Sequence, residues 1–405
     1  KLLTMMIISQ LLDVKLKLAL CLLLSFLFVF KASGQADDTD EQKNKGFLKG
    51  VSLKDPEDGA FDMSAMMESH SGGIVPFPII ITEPAVGYGG GLALIYLKNN
   101  KSSTDKVLPA DATGIAGFGT QNRTWALMAF HFNSIKEDKI RYLGGAMYGD
   151  INIDFYFKDL EGNSQPVEIG MKSWGVLQRV LFRIANTGLF IGPQYTYFHT
   201  RNRINDLEQI YVIPGLEDKV ISKSALSMPG LFLQYDSRNS TLSPDKGVLT
   251  GVTTSYSATF LGSDHSYWMF NPYFIGYVPV SKRVFSGYRF DSQFGVGGDL
   301  PFYAKPFLLM RGVPAAKYQG DITMLVETEW RGVVFRRWSL VGFAGTGKAF
   351  DAFKEFGDSD WIYSYGAGFR YLLARRNKFQ VGMDFGWSNN GDFAFYLIFG
   401  SYWNK

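Results

Sequence analysis

Cysteine is nearly absent: the only one in 405 residues is Cys21. It lies inside a short apolar run near the N-terminus, so disulfide frameworks and cysteine-held metals are excluded from everything downstream. A lipid-attachment cysteine needs a small residue before it and a place at the end of such a run. Leu20 and the position of Cys21 argue against that. An excess of one charge is also lacking. Lys and Arg total 41, Asp and Glu 38, and the net +3 is too small and too evenly spread for a nucleic-acid partner. Long apolar stretches are scarce. Mean hydropathy is −0.03, and a helical multi-span protein needs ~20 consecutive apolar residues per span. Histidine is rare. His70, His131, His199 and His265 include no pair at metal-ligand spacing on one strand, so neither a metal nor a cofactor is expected.

What the chain does have is aromatic residues, at 16%, and 44 glycines. High aromatic and glycine content with alternating polarity suits a transmembrane β-barrel, which is apolar toward lipid and polar toward its lumen. The alternation is explicit in Phe379–Trp387, where every odd position is large and apolar and every even one is Gln, Gly or Asp. Segments of this kind are expected at 74–82, 86–98, 112–120, 123–134, 140–157, 167–185, 187–203, 223–238, 247–261, 265–279, 282–297, 321–335, 338–350, 361–374, 378–388 and 392–403. The fold class is therefore all-β, a barrel of about sixteen antiparallel strands whose closure removes exposed edges. Short turns such as Glu83–Ala85, together with Asn404-Lys405, are expected to face the periplasm. The long loops 206–222 and 298–320 are expected outside.

Three regions follow. Lys15 and Lys17, the apolar core Leu18–Phe30 and the small residues Ala32-Ser33-Gly34 read as an export signal over 1–34, with 1–13 an upstream extension. Residues 35–72, with the acidic run Asp37–Glu41, read as a flexible periplasmic lead-in. Residues 73–405 form the barrel.

Three places resemble the bacterial surface antigen family, the barrel domain of the outer-membrane assembly and translocation superfamily. The first is Phe77-Pro78 with Pro84–Gly91. The second is Tyr235-Asp236-Ser237-Arg238-Asn239 followed by Pro244 and Gly247. The third is the loop Leu309–Asp321 carrying Arg311-Gly312, with Glu329-Trp330-Arg331 in the strand after it. The resemblance implies that this long extracellular loop folds into the lumen and that Arg311 pairs with Glu329 or Glu327. Alternation agrees. Thr323, Leu325, Glu327, Glu329 and Arg331 share one face, and Arg289, Asp291 and Gln293 share one on the preceding strand. Carboxylates must face inward, because facing lipid is costly. There are two departures. Where the family has Phe-x-Asp-x-Gly, this chain has Phe343–Gly347 with Gly345 at the Asp position, so one usual partner of the arginine is missing. The stretch 35–72 is also too short for a polypeptide-transport-associated domain.

Other motifs carry less. Gly342–Lys348 matches a phosphate-binding loop in its first seven positions, but Ala349 stands where a hydroxyl is needed and no helix follows. Asp358-Ser359-Asp360 reads as solvated loop charge rather than a calcium site. The resulting reading is a non-enzymatic barrel that moves or inserts protein or lipid at the outer membrane. Its partners would be the bilayer and a separate periplasmic or surface protein client. A passive channel for small solutes and an outer-membrane hydrolase built on a Ser–His contact are the alternatives. An unheated sample should migrate faster than a boiled one on a denaturing gel and fractionate with outer membranes. A soluble periplasmic protein would contradict the barrel.

Overall fold

A computed structural model describes residues 54–64, 73–98, 111–161, 163–205, 213, 215–220, 223–376 and 378–403. The expected export signal at 1–34 and the Asn404-Lys405 end lie outside these residues. Sixteen strands form one antiparallel sheet in which each pairs with its sequence neighbours. They are β1 (Gly73–Ile81), β2 (Gly89–Lys98), β3 (Asp111–Thr120), β4 (Trp125–Ile135), β5 (Ile140–Lys158), β6 (Ser164–Arg183), β7 (Leu189–Ile204) and β8 (Lys223–Asp236). The second half comprises β9 (Gly247–Ser257), β10 (Tyr267–Pro279), β11 (Val284–Val296), β12 (Ile322–Phe335), β13 (Trp338–Phe350), β14 (Ile362–Ala374), β15 (Phe379–Ser388) and β16 (Phe393–Phe399).

The alternation of side chains curls this sheet around a filled interior. On β2, Leu92, Leu94 and Tyr96 are exposed while Ala93 and Ile95 are buried. On β4, Trp125 and Leu127 face out while Ala126, Met128 and Phe130 face in. Large apolar residues left exposed over a whole outer surface fit a lipid solvent rather than water. Aromatic residues gather where the strands leave the apolar zone. Trp125 meets Tyr148 at 5.6 Å, and Trp338 meets Tyr371 at 5.0 Å near the opposite rim.

Three expectations need correction. The ladder runs from β1 to β16, but no ladder joins β16 back to β1 among the described residues. The barrel is nearly closed, with an unpaired seam. The last strand does not continue to 403. It ends at Phe399, where Gly400 adopts φ 80° and turns the chain inward. The turn Glu83–Ala85 does not lie opposite the long loops. It joins β1 to β2 at the same end as 206–222 and 298–320, and its Glu83 Oε1 accepts a hydrogen bond from Ala315 N at 3.0 Å.

The other end carries the short β4–β5, β10–β11 and β12–β13 turns and the longer β8–β9 connection. In the last of these, Arg238 forks onto Asp236 with two 3.0 Å hydrogen bonds. Part of the 35–72 lead-in is fixed here. Arg337, in the two-residue β12–β13 turn, is buried and bonded by Asp55 at 2.6 Å, Asp58 at 2.8 Å and Asp62 at 2.7 Å. Met63 N donates to Leu373 O, and Tyr371 Oη donates to Phe61 O. The strap Lys54–Ser64 therefore lies across the β12–β14 rim, on the far side of the seam from β1.

Hydrogen bonds from Arg337 hold Asp58 far below the ordinary carboxylate range, at about 2. Burial alone would raise Asp62, but hydrogen bonds from Ser64, the Arg375 amide and Arg337 outweigh it and lower it. A depressed carboxylate stabilises above its unfolded value of ~3.9 and loses that contribution as pH falls through its folded value. A spin label at Ala60→Cys should thus be immobile at neutral pH. It should become mobile between about 4 and about 2, and mobile at all pH in Arg337→Ala. Equal immobility in the variant would show that the strap is held by something else.

Candidate functional site

The β11–β12 loop enters the lumen and brings Arg311 to its middle. Two glycines permit the approach. Gly312 has φ 84°, and a Cβ there would lie 2.6 Å from Trp387 N. A Cβ on Gly386 of β15 would lie 2.8 Å from Gly312 N. The loop backbone thus rests directly on the β15 backbone, and Gly312 N donates to Tyr396 Oη at 3.0 Å.

Arg311 is 0% exposed. Its Nη1 donates to Glu329 Oε2 at 2.5 Å and to Asp384 Oδ2 at 2.9 Å. Its Nε and Nη2 have no hydrogen-bond partner. Ring faces cover the guanidinium instead: Phe343 at 3.7 Å, Tyr402 at 4.6 Å and Trp403 at 5.5 Å from the centroids. An arginine so removed from water needs paired carboxylates and polarisable neighbours to offset its lost hydration.

Around it lies a continuous ionic network. Arg370 of β14 forks onto Asp384, with Nη1 at 2.6 Å and Nη2 at 2.9 Å. Arg289 donates to Glu327 at 2.6 Å, to Asp291 at 3.2 Å and to the loop carbonyl of Leu309 at 3.0 Å. Trp403 Nε1 donates to Glu327 Oε2 at 3.1 Å. Three guanidiniums thus face four carboxylates. The loop, β11, β12, β14, β15 and the inturned C-terminal segment share one set of charges.

The residues expected at this site divide as follows. Arg311 contacts Glu329 directly, whereas Glu327 is engaged by Arg289 and Trp403. Arg331 stands apart near the short-turn end, bonded to Asp245 and, at 2.7 Å, to Gln380. Gln293 is buried, and its Oε1 has no hydrogen-bond partner among the described residues. The carboxylate missing at Gly345 comes from Asp384 on β15. An acidic side chain at 345 would not fit, because a Cβ there would lie 2.6 Å from Glu327 Cγ. Asp384 and Arg370 are the members that sequence reasoning missed. Their signal was the polar side of two alternating segments.

Farther out, the loop is held on several sides. Lys317 Nζ reaches Asp392 at 2.5 Å, Lys305 Nζ reaches Asp321 at 3.0 Å and Asp351 at 2.8 Å, and Phe302 packs edge-on to Phe155 at 4.8 Å. The other motifs have ordinary surroundings. Gly342–Lys348 belongs to β13, and Lys348 Nζ donates to Phe356 O. His131 Nδ1 lies 2.7 Å from Thr113 Oγ1 on the outer face, and His199 stacks on Trp174 at 6.2 Å. His70 lies outside the described residues.

Comparison with known proteins agrees with this architecture. Residues 142–308 match the Omp85 superfamily domain. Among solved structures, BamA from Haemophilus ducreyi lacking POTRA domains 1–3 is similar at TM-score 0.55 and 12% identity, covering 82% of this chain and 70% of that one. CdiB from Escherichia coli gives 0.52 and 9%, covering 80% and 61%. CdiB from Acinetobacter baumannii gives 0.51 and 11%, covering 81% and 59%. The chain therefore spans less than two thirds of either CdiB, and at these identities the likeness is one of fold. No curated protein sequence matches the chain. The surface antigen resemblance thus stands on the domain match and on the sixteen-stranded barrel together.

Breaking one partner of a buried ion pair costs ~3–5 kcal/mol. Arg311→Ala and Asp384→Asn should each lower the unfolding midpoint, and the double variant should cost clearly less than their sum. Strict additivity in that cycle, and in the same cycle with Glu329→Gln, would mean that the loop is not pinned through Arg311.

Proposed function

We propose that this Omp85-type barrel inserts or passes protein or lipid at the outer membrane of a Gram-negative bacterium, with no enzymatic step. The observation that carries this reading is the seam. β1 and β16 end the ladder without pairing to each other, and an unpaired strand edge is a template for a further strand. An extended segment of an unfolded client can add there with main-chain hydrogen bonds, while the neighbouring lipid takes its apolar side chains. Because the lumen is filled by the pinned loop, the seam rather than an open pore is the route the geometry favours over a passive channel.

The seam is closed lightly. Tyr88, at the β1–β2 turn, stacks on Phe395 of β16 at 5.8 Å. The strap Lys54–Ser64, which precedes β1 in the chain, is fixed to the β12–β14 rim. A single ring contact among the described residues leaves the two edges little to break if they part. In this reading the end that carries the 298–320 loop faces outward and the strap faces the periplasm.

The test is thiol cross-linking of Tyr88→Cys with Phe395→Cys in vesicles of phosphatidylcholine and phosphatidylglycerol, the probe being a urea-unfolded eight-stranded barrel protein. The uncross-linked protein should speed insertion of the probe several-fold, judged by heat-modifiable mobility. Cross-linking should abolish the gain and reduction should restore it. Unchanged insertion after cross-linking would rule out the seam as the route.

A further inference from the structure

On the outer surface, three cations stand side by side. Lys172 of β6 pairs in register with Arg201 of β7, and Arg201 with Lys223 of β8. All three are exposed. Like charges directly opposite on neighbouring strands destabilise a sheet, and here two such pairs are consecutive. Among the described residues, none of the three has an ion-pair partner. Asp150, across from Lys172, is engaged by Arg203 at 2.8 Å, and Arg203 also donates to Asn152 Oδ1 at 3.0 Å. The Asp264 carboxylate accepts from the Ala225 amide.

Their depth is specific. On β6, the outward residues from Phe182 to Trp174 make nine positions, about the ~9–11 a tilted strand needs to cross a bilayer. Lys172 is the next outward residue. Arg201 stands in the same relation to His199, whose ring stacks on Trp174, and Tyr197 lies 5.0 Å from Trp174. β5, β6 and β7 run on beyond this level, with 19, 20 and 16 residues. The row thus lies where the apolar belt ends and the polar upper hairpins begin, at the long-loop end.

We propose that Lys172, Arg201 and Lys223 form a binding site for the phosphate of a phosphorylated glycolipid of the outer leaflet. Its acyl chains would lie against Trp174, Tyr195 and Leu231, all exposed on the same face. A phosphate supplies the anion that relieves two like-charge pairs at once, and its oxygens accept from a guanidinium and two ammonium groups. A soluble acidic protein is a poorer occupant, because reaching this depth requires displacing lipid headgroups.

The test uses the whole protein in dodecylmaltoside with diphosphoryl lipid A as probe, read by native mass spectrometry. The wild type should retain lipid A. The triple variant K172Q/R201Q/K223Q should bind it on the order of a hundredfold more weakly, with Arg201→Gln alone intermediate. K282Q/R283Q, at the short-turn end, should bind like the wild type. Each variant is first shown to be folded by heat-modifiable mobility. Retention by the triple variant equal to wild type would overturn the site. So would equal retention of phosphatidylglycerol, displacement by inorganic phosphate alone, or preferential capture of polyglutamate.

Discussion

A guanidinium carried on a loop and buried completely must be neutralised from several directions at once, and this requirement organises the interior. Arg311 draws Glu329 from β12 and Asp384 from β15, and Asp384 in turn takes both arms of Arg370 from β14. Glu329 thus joins the loop to β12, and Asp384 joins it to β14 and β15, tying the wall of the barrel to its plug. Phe343 covers one face of the guanidinium, and the inturned Tyr402 and Trp403 complete the enclosure. The C-terminal residues thus serve the same centre as the loop. Removing one member would leave an unpaired charge in a dry space, so the arrangement favours being fully assembled.

Glycine placement follows from the same constraint. The loop can reach the centre because Gly312 and Gly386 let two backbones touch, and Glu327 has room because Gly345 faces it. With the wall and plug so tied together, the freedom left to the molecule lies at the seam between β1 and β16. The Tyr88–Phe395 stack is the ring contact across that seam among the described residues. A rigid interior beside a lightly held edge is the arrangement on which the proposed lateral route rests.

Much of this was legible in the sequence, and the remainder was hidden for identifiable reasons. Period-two alternation located all sixteen strands and the inward faces of Glu327, Glu329, Arg289 and Asp291, because a charge facing the lipid core is costly. The same pattern misled at the C-terminus. Trp403 returns to the odd, apolar side past Ser401, and the left-handed backbone at Gly400 is what turns the chain. Asp384 was visible as an inward acid but not as the partner of a residue 73 positions away, since alternation gives a face and never says which strand lies opposite. The strap was read as part of a flexible lead-in because its cation, Arg337, is 279 residues from Asp58. The side of the Glu83 turn was misjudged from its length, whereas strand parity alone settles it.

Single-channel conductance in planar bilayers is the most direct measurement of whether Arg311 holds the plug in place. A pinned loop gives a wild-type protein that is silent or nearly so, and an Arg311→Ala variant that opens to large, fluctuating conductance. A wild type that conducts steadily at the level of the variant would contradict the central role of the buried arginine.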